Sequence, residues 1–276
     1  MLLALDVGNT NTVLALYKTG PDTPTELIAD WRITTSHIQT TDEYGMLFRD
    51  LFALRKMTID VVDAIIISSV VPPIDSALRQ VCERYFKIKP LFVEPGVKTG
   101  LPVLVDNPSE VGADRIVNCV AAFERFGGPC IVVDMGTATT FDVISKKGEF
   151  IGGAIAPGLG IAAEALFEHA ARLPRVDVKR PAKIIGTSTT DNIQIGLYYG
   201  YIGLVDGILE RLIAELGQET KLVATGGMSR LIASGSKYLH EVDSMLTLTG
   251  LRIIYERNAD RARKRTATAP PLPAHA

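Results

Sequence analysis

The sequence has few of the residues that build disulfide frameworks and metal centres. Its 276 residues include 3 cysteines and 4 histidines, and both residue types are scattered along the chain. An odd number of isolated cysteines argues against a disulfide framework, and isolated histidines give almost no support to a histidine metal site. The groups left for chemistry in this chain are therefore its carboxylates, hydroxyls and backbone groups.

The chain also lacks a strong excess of charge and any long apolar run. Its 29 Lys and Arg residues against 31 Asp and Glu residues give a net charge of −2. This balance provides no general attraction for nucleic acid or for an anionic membrane. The N-terminus has neither the basic region nor the apolar segment of a signal peptide, and no run is long enough to span a bilayer. We predict a cytoplasmic globular protein with no nucleic-acid or membrane partner.

Two stretches of the sequence share one design, in which an apolar strand leads to a turn that starts with an acid and then to a second strand. In residues 2–17 the acid is Asp6, and in residues 130–145 it is Asp134. A single Asp-x-Gly turn is ordinary hairpin chemistry. The paired occurrence instead indicates a duplicated domain with a cleft between the copies.

The two acidic turns differ from the common nucleotide-binding fingerprints. Each turn leads into a strand, whereas a P-loop needs a Lys-Ser/Thr pair at the start of a helix and a Rossmann loop needs Gly-x-Gly-x-x-Gly there. Small side chains and backbone N–H groups nevertheless suit a turn that holds phosphate. The hydroxyl groups available at the two turns belong to Thr10, Thr12, Thr137, Thr139 and Thr140.

The remaining pattern alternates strands with helices, which is typical of an α/β layer with an antiparallel meander at one edge. Further strands are predicted at residues 26–34, 63–70, 91–94, 149–156 and 221–225. Helices are predicted at residues 42–56, 74–86, 161–172 and 191–216, and one more is predicted to run from an N-cap at Ser109 to Phe126. Glycines in the helix at 191–216 are interpreted as sites of close packing. Residues 257–276 have no apolar period and are predicted to form a disordered tail.

An acid and an arginine near the start of a predicted helix form a candidate substrate site. Asp114 can accept a proton from a hydroxyl substrate while Arg115 binds a carboxylate. The alternative is that both residues form surface ion pairs in a first helical turn. Gly226 and Gly227, after the strand at 221–225, offer room for a flat base, although a tight turn explains them equally well. The pair Gly152 and Gly153 has the same two interpretations.

Five motifs together resemble the type III pantothenate kinases, and the likeness runs from residue 1 to about 255. In chain order they are Asp6-Val-Gly-Asn-Thr10, Gly112-Ala-Asp-Arg115, Asp134-Met-Gly-Thr-Ala-Thr-Thr140, Gly152-Gly-Ala-Ile-Ala-Pro-Gly158 and Thr225-Gly-Gly227. The resemblance implies an α/β fold of the acetate and sugar kinase/Hsp70/actin superfamily. That fold has two ribonuclease-H-like (actin-like ATPase) domains with an interdomain cleft. We expect the domains at residues 1–117 and 118–256.

The resemblance also implies a reaction and a set of site residues. The reaction is ATP-dependent phosphorylation of pantothenate to 4′-phosphopantothenate, the first step of coenzyme A biosynthesis, by a homodimer. Asp114 would be the general base, Asp134 would bind potassium or ammonium, and Asp6 would arrange magnesium through water. Pantothenate would contact Gly112, Ala113, Asp114, Arg115 and Thr189. ATP would contact Asp6, Val7, Gly8, Asn9, Thr10, Asn11, Thr12, Val13, Thr137, Gly226 and Gly227.

One position departs from the family pattern, and two other functions stay open. Many members have a tyrosine before the Asn-Pro segment, where this chain has Val105. Some relatives are described as transcriptional accessory factors, so a non-catalytic regulator on the same scaffold is one alternative. A kinase for another small hydroxyl substrate is the other. Both hairpin acids and the Gly-Ala-Asp-Arg segment are present, which favours the pantothenate kinase.

Overall fold

The computed structural model describes residues 1–20 and 23–268, which separate into two compact units. Unit 1 contains residues 1–100, 112–120 and the chain from Leu248 onward, and unit 2 contains residues 101–111 and 121–247. Each unit has its own sheet and its own apolar core. No helix in the described part of the chain is long and apolar enough to cross a membrane.

The sheet of unit 1 has five strands in the order β3-β2-β1-β4-β5. The strands are β1 (Leu2–Val7), β2 (Asn11–Gly20), β3 (Thr23–Thr34), β4 (Ala64–Ser69) and β5 (Leu91–Phe92). The first three strands pair antiparallel, while β4 is parallel to both β1 and β5. This is the predicted combination of an antiparallel meander and later parallel strands.

The sheet of unit 2 repeats this arrangement in the order β8-β7-β6-β9. Its strands are β6 (Cys130–Met135), β7 (Ala138–Ile144), β8 (Phe150–Pro157) and β9 (Lys221–Thr225). Strands β6, β7 and β8 form the antiparallel meander, and β9 is parallel to β6. A single parallel bridge from Ala224 to Val242 continues the sheet beyond β9, on the side where β5 lies in unit 1. The predicted repeat is therefore visible in the strand topology.

Seven α-helices lie in the described residues, and most were predicted to within a few residues. They are α1 (Thr41–Leu54), α2 (Pro72–Val81), α3 (Ala113–Phe126), α4 (Leu159–His169), α5 (Thr189–Leu216), α6 (Ser229–Ala233) and α7 (Leu246–Thr268). Helix α1 begins at a capping box in which Thr40 and Glu43 bond to each other's backbone N–H groups. Its buried side chain Phe52 stacks on Trp31 of β3 with 5.1 Å between ring centroids, which fixes α1 on the sheet.

The start of α3 was predicted wrongly. Ser109 is not its N-cap, because Pro108–Glu110 form a separate 3₁₀ turn whose own cap is Asn107. The Ser109 N–H donates to the Asn107 side-chain oxygen at 3.3 Å. Helix α3 then starts at Ala113, so Asp114 lies in its first turn.

The predicted domain boundaries also differ from the two units. Residues 101–111 belong to unit 2, because the Leu104 N–H donates to the Phe150 carbonyl and the Phe150 N–H donates to the Pro102 carbonyl, both at 2.8 Å. The chain from Leu248 onward returns to unit 1. A Cβ atom on Gly250 would lie 2.1 Å from the Val117 carbonyl oxygen, so α7 packs closely on α3. The sequence pattern does not predict that the chain comes back to a unit that it has left.

The prediction of a disordered tail was wrong for residues 257–268, which are helical, while residues 269–276 lie outside the described residues. The Arg257 guanidinium donates to the Thr99 carbonyl, and the Asn258 side chain bonds to both the N–H and the carbonyl of Lys98 at 3.2 and 3.0 Å. Gly100 has a φ of 75° and no space for a Cβ beside Arg257. These contacts are polar, so the periodicity of apolar residues in the sequence did not predict them.

We expect Arg257→Ala to lower the free energy of unfolding by about 1–2 kcal/mol, because it removes a hydrogen bond from a charged group to a half-buried carbonyl. The matched control is Arg49→Ala, since Arg49 is exposed and, among residues 1–20 and 23–268, forms an ion pair only with its neighbour Asp50. That control should stay within about 0.5 kcal/mol of the wild type. Urea unfolding of both variants measures the difference, and equal stabilities would show that the Arg257 contact contributes nothing.

Candidate active site

The first acidic turn is a tight connection between β1 and β2. The Gly8 N–H donates to the Asn11 carbonyl at 3.0 Å, and a Cβ on Gly8 would lie 3.2 Å from the same oxygen. Asp6 is half-buried one residue before the end of β1. Asn9 and Thr10 at the tip are exposed. The turn therefore presents an acid and the backbone of residues 8–10 at one end of the sheet.

Thr35, which was not predicted as a site residue, holds this turn closed. Its hydroxyl donates to the Gly8 carbonyl at 2.7 Å and lies 2.9 Å from the Thr12 hydroxyl, while its N–H donates to the Thr10 carbonyl at 3.0 Å. Thr12 is buried, so its hydroxyl stabilises the turn from inside. The pairing of β2 with β3 sets Asn11 opposite Thr34. A prediction of this pairing could have located Thr35 beside the turn.

The Gly112–Arg115 segment forms the start of α3 in unit 1. The Asp114 carboxylate accepts a hydrogen bond from the Arg115 N–H at 2.8 Å. A Cβ on Gly112 would lie 2.6 Å from this carboxylate, so only glycine leaves room for it. Burial raises the pKa of Asp114, and the Arg115 N–H and guanidinium partly oppose that shift. The result is a more basic carboxylate at the start of a helix.

Val70 connects this segment with the first acidic turn. Its N–H donates to the Val7 carbonyl at 3.0 Å, and a Cβ on Gly112 would lie 3.6 Å from its Cγ1 atom. The carboxyl ends of the parallel strands β1 and β4 and the start of α3 therefore meet at one end of unit 1. Ligands of open α/β sheets bind at this end of the strands.

The second acidic turn has a similar internal support. The Gly136 N–H donates to the Ala138 carbonyl at 3.0 Å, and the Gly158 N–H donates to the Thr137 carbonyl at 3.1 Å. Inside unit 2 the Thr139 hydroxyl bonds to the Tyr201 hydroxyl. The Thr140 hydroxyl donates to the carboxylate of the buried Asp142 at 2.9 Å. Thr137 is exposed and has its side chain at the tip of the turn.

Gly226 lies directly against Asp134 in unit 2. A Cβ on Gly226 would be 2.6 Å from both the Asp134 carboxylate and the Met135 carbonyl oxygen, and its φ is 91°. Both observations require glycine. Gly227 has open space around its Cα. The structure therefore brings Asp134 together with Gly226 and Gly227, while Thr189 is the exposed first residue of α5.

Gly153 has a structural role rather than an open binding surface. A Cβ on Gly153 would lie 1.7 Å from the Phe141 carbonyl oxygen of the neighbouring strand β7. The close approach of the two strands explains this glycine without a ligand. Gly152 differs, because a Cβ on it would meet no atom within 4 Å, but its φ of 119° is one that only glycine adopts readily.

The oxygen atoms at the two acids suit the cations that the motifs imply. No group of three or more His, Cys, Asp or Glu side chains that could hold a metal lies within residues 1–20 and 23–268. Magnesium at phosphate sites needs only one or two carboxylates, since the phosphates and water complete its shell, and Asp6 meets this need. Asp134 and the Met135 carbonyl both border Gly226 and supply oxygen atoms of the kind that hard cations prefer.

A sequence profile of the type III pantothenate kinase family matches residues 2–211. The chain belongs to this family. A type III pantothenate kinase of Koribacter versatilis is 65% identical over 270 residues, covering 96% of this chain and 98% of the relative. The type III pantothenate kinase of Acidobacterium capsulatum is 62% identical over 257 residues, covering 93% and 94%. That of Myxococcus xanthus is 55% identical over 258 residues, covering 94% and 99%.

Solved structures support the fold of this family member. A Campylobacter jejuni protein described as a Baf family transcriptional activator superposes with a TM-score of 0.59 at 19% identity, covering 94% of this chain and 99% of that one. The ethanolamine utilization protein EutJ of Carboxydothermus hydrogenoformans gives 0.52 at 14% identity, covering 91% and 89%. At these identities the likeness shows the fold alone. The predicted α/β fold, with one sheet in each of two units, is confirmed.

Proposed function

We propose that this protein is a cytoplasmic enzyme that transfers the γ-phosphoryl group of ATP to the 4′-hydroxyl of pantothenate, the first step of coenzyme A biosynthesis. The family membership supports the reaction. The observation that carries the assignment of residues is Asp114, a carboxylate of raised pKa next to Arg115 at the start of α3. Pantothenate has both groups that this pair suits, a hydroxyl that loses a proton and a carboxylate that an arginine binds.

The chemistry needs positioning more than it needs a reactive nucleophile. Phosphoryl transfer passes through a loose transition state, so alignment and neutralisation of charge supply most of the catalysis. Asp114 accepts the proton of the attacking hydroxyl. Arg115 holds the pantothenate carboxylate, with Gly112 and Ala113 bordering the substrate and Thr189 as a further contact. Val105, in place of the tyrosine of many members, removes an aromatic contact to that substrate.

ATP would be bound by the residues of the two acidic turns and of the glycine turn after β9. Residues 6–13 border the phosphates, with the exposed tip at Asn9 and Thr10 nearest to them, and Thr137 adds a contact from its exposed tip. Gly227 leaves backbone open to the flat base, next to Gly226, which is packed on Asp134. Magnesium bound through Asp6 and potassium or ammonium bound at Asp134 supply positive charge that neutralises the phosphates.

A homodimer is the form in which we propose that the enzyme works. Most of the large apolar side chains that are exposed in the described residues lie between Ile151 and Tyr199. In the same region, α5 has a row of glycines at helical spacing, namely Gly196, Gly200 and Gly203, and a Cβ on any of them would meet no atom within 4 Å. The interpretation of these glycines as packing sites is therefore wrong within unit 2. An apolar surface of this kind marks an interface.

We expect Asp114→Asn to lower kcat for pantothenate by about 10²–10⁴, because the amide keeps the shape of the side chain but accepts no proton. ATP affinity should change less than about twofold, since the phosphates bind the acidic turns. Arg115→Ala should instead raise KM for pantothenate more than it lowers kcat. Steady-state kinetics and calorimetric ATP binding measure these effects, and pantothenol, which lacks the carboxylate, should respond little to Arg115→Ala.

The direction of the Asp114 pKa shift provides an independent readout on the same variant. A carboxylate whose pKa is raised by folding makes the native state bind more protons than the unfolded state, so the stability of the wild type falls as the pH rises through that pKa. Asp114→Asn has no carboxylate to ionise, so it does not lose stability in this way as the pH rises. The variant should therefore be at least as stable as the wild type at pH 7. Near-normal kcat in the folded variant would remove Asp114 from the chemistry and leave its segment as a first-turn ion pair.

The proposed role of Asp134 predicts a requirement for a monovalent cation. Activity should be high in potassium or ammonium and should fall severely, by about tenfold or more, when sodium alone is present, because sodium is smaller than either cation and sheds its water less readily. Choline chloride at equal ionic strength controls for screening of charge. In Asp134→Asn the difference between potassium and sodium should disappear. Equal turnover of the wild type in both salts would contradict this role.

The dimer predicts that Gly200→Arg, on the exposed glycine row of α5, yields a monomer, because a long charged side chain prevents close approach of a second chain. The matched control is Glu215→Arg, which introduces the same side chain at an exposed position near the other end of α5. Light scattering after size-exclusion chromatography gives the mass. A wild-type protein that elutes with the mass of one chain would refute the dimer.

A further inference from the structure

Ser68 in β4 is completely buried, and its hydroxyl oxygen has no hydrogen-bond partner among the described residues. A buried polar group without a partner is uncommon in native proteins, because it loses its bonds to water and gains none in return. An apolar residue of similar size would avoid that loss. The position of Ser68 therefore requires an explanation beyond the stability of the sheet.

The pairing of β1 with β4 sets Ser68 beside Asp6. The two residues are in register in the parallel ladder, so their side chains extend from the same face of the sheet. Their neighbours Leu5 and Ile67 are also in register and belong to the apolar core on the opposite face. The unpartnered hydroxyl is thus on the strand next to the acid of the first turn, and on the same side of the sheet.

Unit 2 has a hydroxyl at the corresponding position. Asp134 of β6 is in register with Thr225 of the parallel strand β9, and Thr225 is buried. The residues before them, Ile67 in one unit and Ala224 in the other, are apolar core residues. The two sheets thus share an acid and a hydroxyl on adjacent parallel strands, at the ends that carry the acidic turns. The repetition places a hydroxyl residue beside the acid of each turn.

We propose that Ser68 is a positioning residue for the magnesium–ATP group, and that its hydroxyl donates a hydrogen bond to a water molecule of the hydrated cation beside Asp6. This inference rests on the proposed function. Ser68 is paired with Asp6 itself and not with the tip of the turn, so its hydroxyl is assigned to what Asp6 holds. A hydroxyl with no protein partner keeps its hydrogen atom available for such a ligand.

The test compares ATP binding by Ser68→Ala and by the wild type in magnesium and in EDTA, using calorimetry. In magnesium the Kd of the variant should rise about fivefold, the factor that one hydrogen bond of ordinary strength provides. In EDTA the two proteins should agree within about twofold. The unfolding midpoint of the ligand-free variant should equal or exceed that of the wild type, because the variant loses only an unpartnered group.

The adjacent serine is the matched control. The Ser69 hydroxyl accepts from the Val71 N–H at 3.2 Å and donates to Asp75 at 2.5 Å, so its bonds are made within the protein. Ser69→Ala should lower the unfolding midpoint and keep the magnesium dependence of ATP binding. Ser68→Ala is thus expected to weaken magnesium–ATP binding without lowering the unfolding midpoint. Ser69→Ala is expected to lower the unfolding midpoint without changing the magnesium dependence of ATP binding.

Two results would overturn the inference. Wild-type affinity of Ser68→Ala for magnesium–ATP, together with a lower unfolding midpoint, would show that the hydroxyl binds a structural water. Equal weakening of ATP binding in magnesium and in EDTA would show that the hydroxyl does not act through the cation. Failure of the proposed function is seen separately in the wild type, which would then release no ADP when pantothenate is added, whereas the inference about Ser68 is tested by ATP binding alone.

Discussion

The backbone hydrogen bond from Val70 to Val7 is the interaction on which the geometry of unit 1 depends. It extends the parallel pairing of β1 and β4 to the ends of both strands, where the chain leaves each strand in a different direction. Val7 leads into the acidic turn, while Val70 lies beside Gly112 at the start of α3. The first acidic turn and a candidate base thus come from segments more than a hundred residues apart, and the parallel ladder is what aligns them.

The tightness of this arrangement explains why so many site positions are glycine. The Asp114 carboxylate occupies the space that a side chain on Gly112 would need, and in unit 2 the Asp134 carboxylate does the same at Gly226. In both cases the missing Cβ allows the acid to lie against the backbone of a neighbouring segment. The acids are therefore positioned by packing as well as by hydrogen bonds, which is the kind of support that a phosphoryl-transfer site requires.

The parts of the fold that could be predicted are those with a local signal. The two hairpins were found because alternating strands and an Asp-x-Gly turn are contained within sixteen residues, and their acids were found with them. Helix α7 was not predicted, and its residues from 257 onward were assigned to a disordered tail, because their bonds to Lys98 and Thr99 are polar and come from distant sequence. Thr35 was missed for the same reason, since only the register of β2 and β3 brings it to the turn. Local periodicity contains no information about such partners.

A buried hydroxyl beside each acid shows how the sequence can hold a functional feature that no motif reports. Ser68 belongs to an apolar strand, and along the chain it is simply the residue at which the strand becomes polar. Its functional significance can be recognised only from the pairing of β4 with β1. That pairing sets Ser68 beside Asp6, and the sheet also leaves the Ser68 hydroxyl without a hydrogen-bond partner. A residue that weakens the fold slightly and lies beside the acid of the first turn is best explained by what that turn binds, since folding alone would favour an apolar side chain at Ser68.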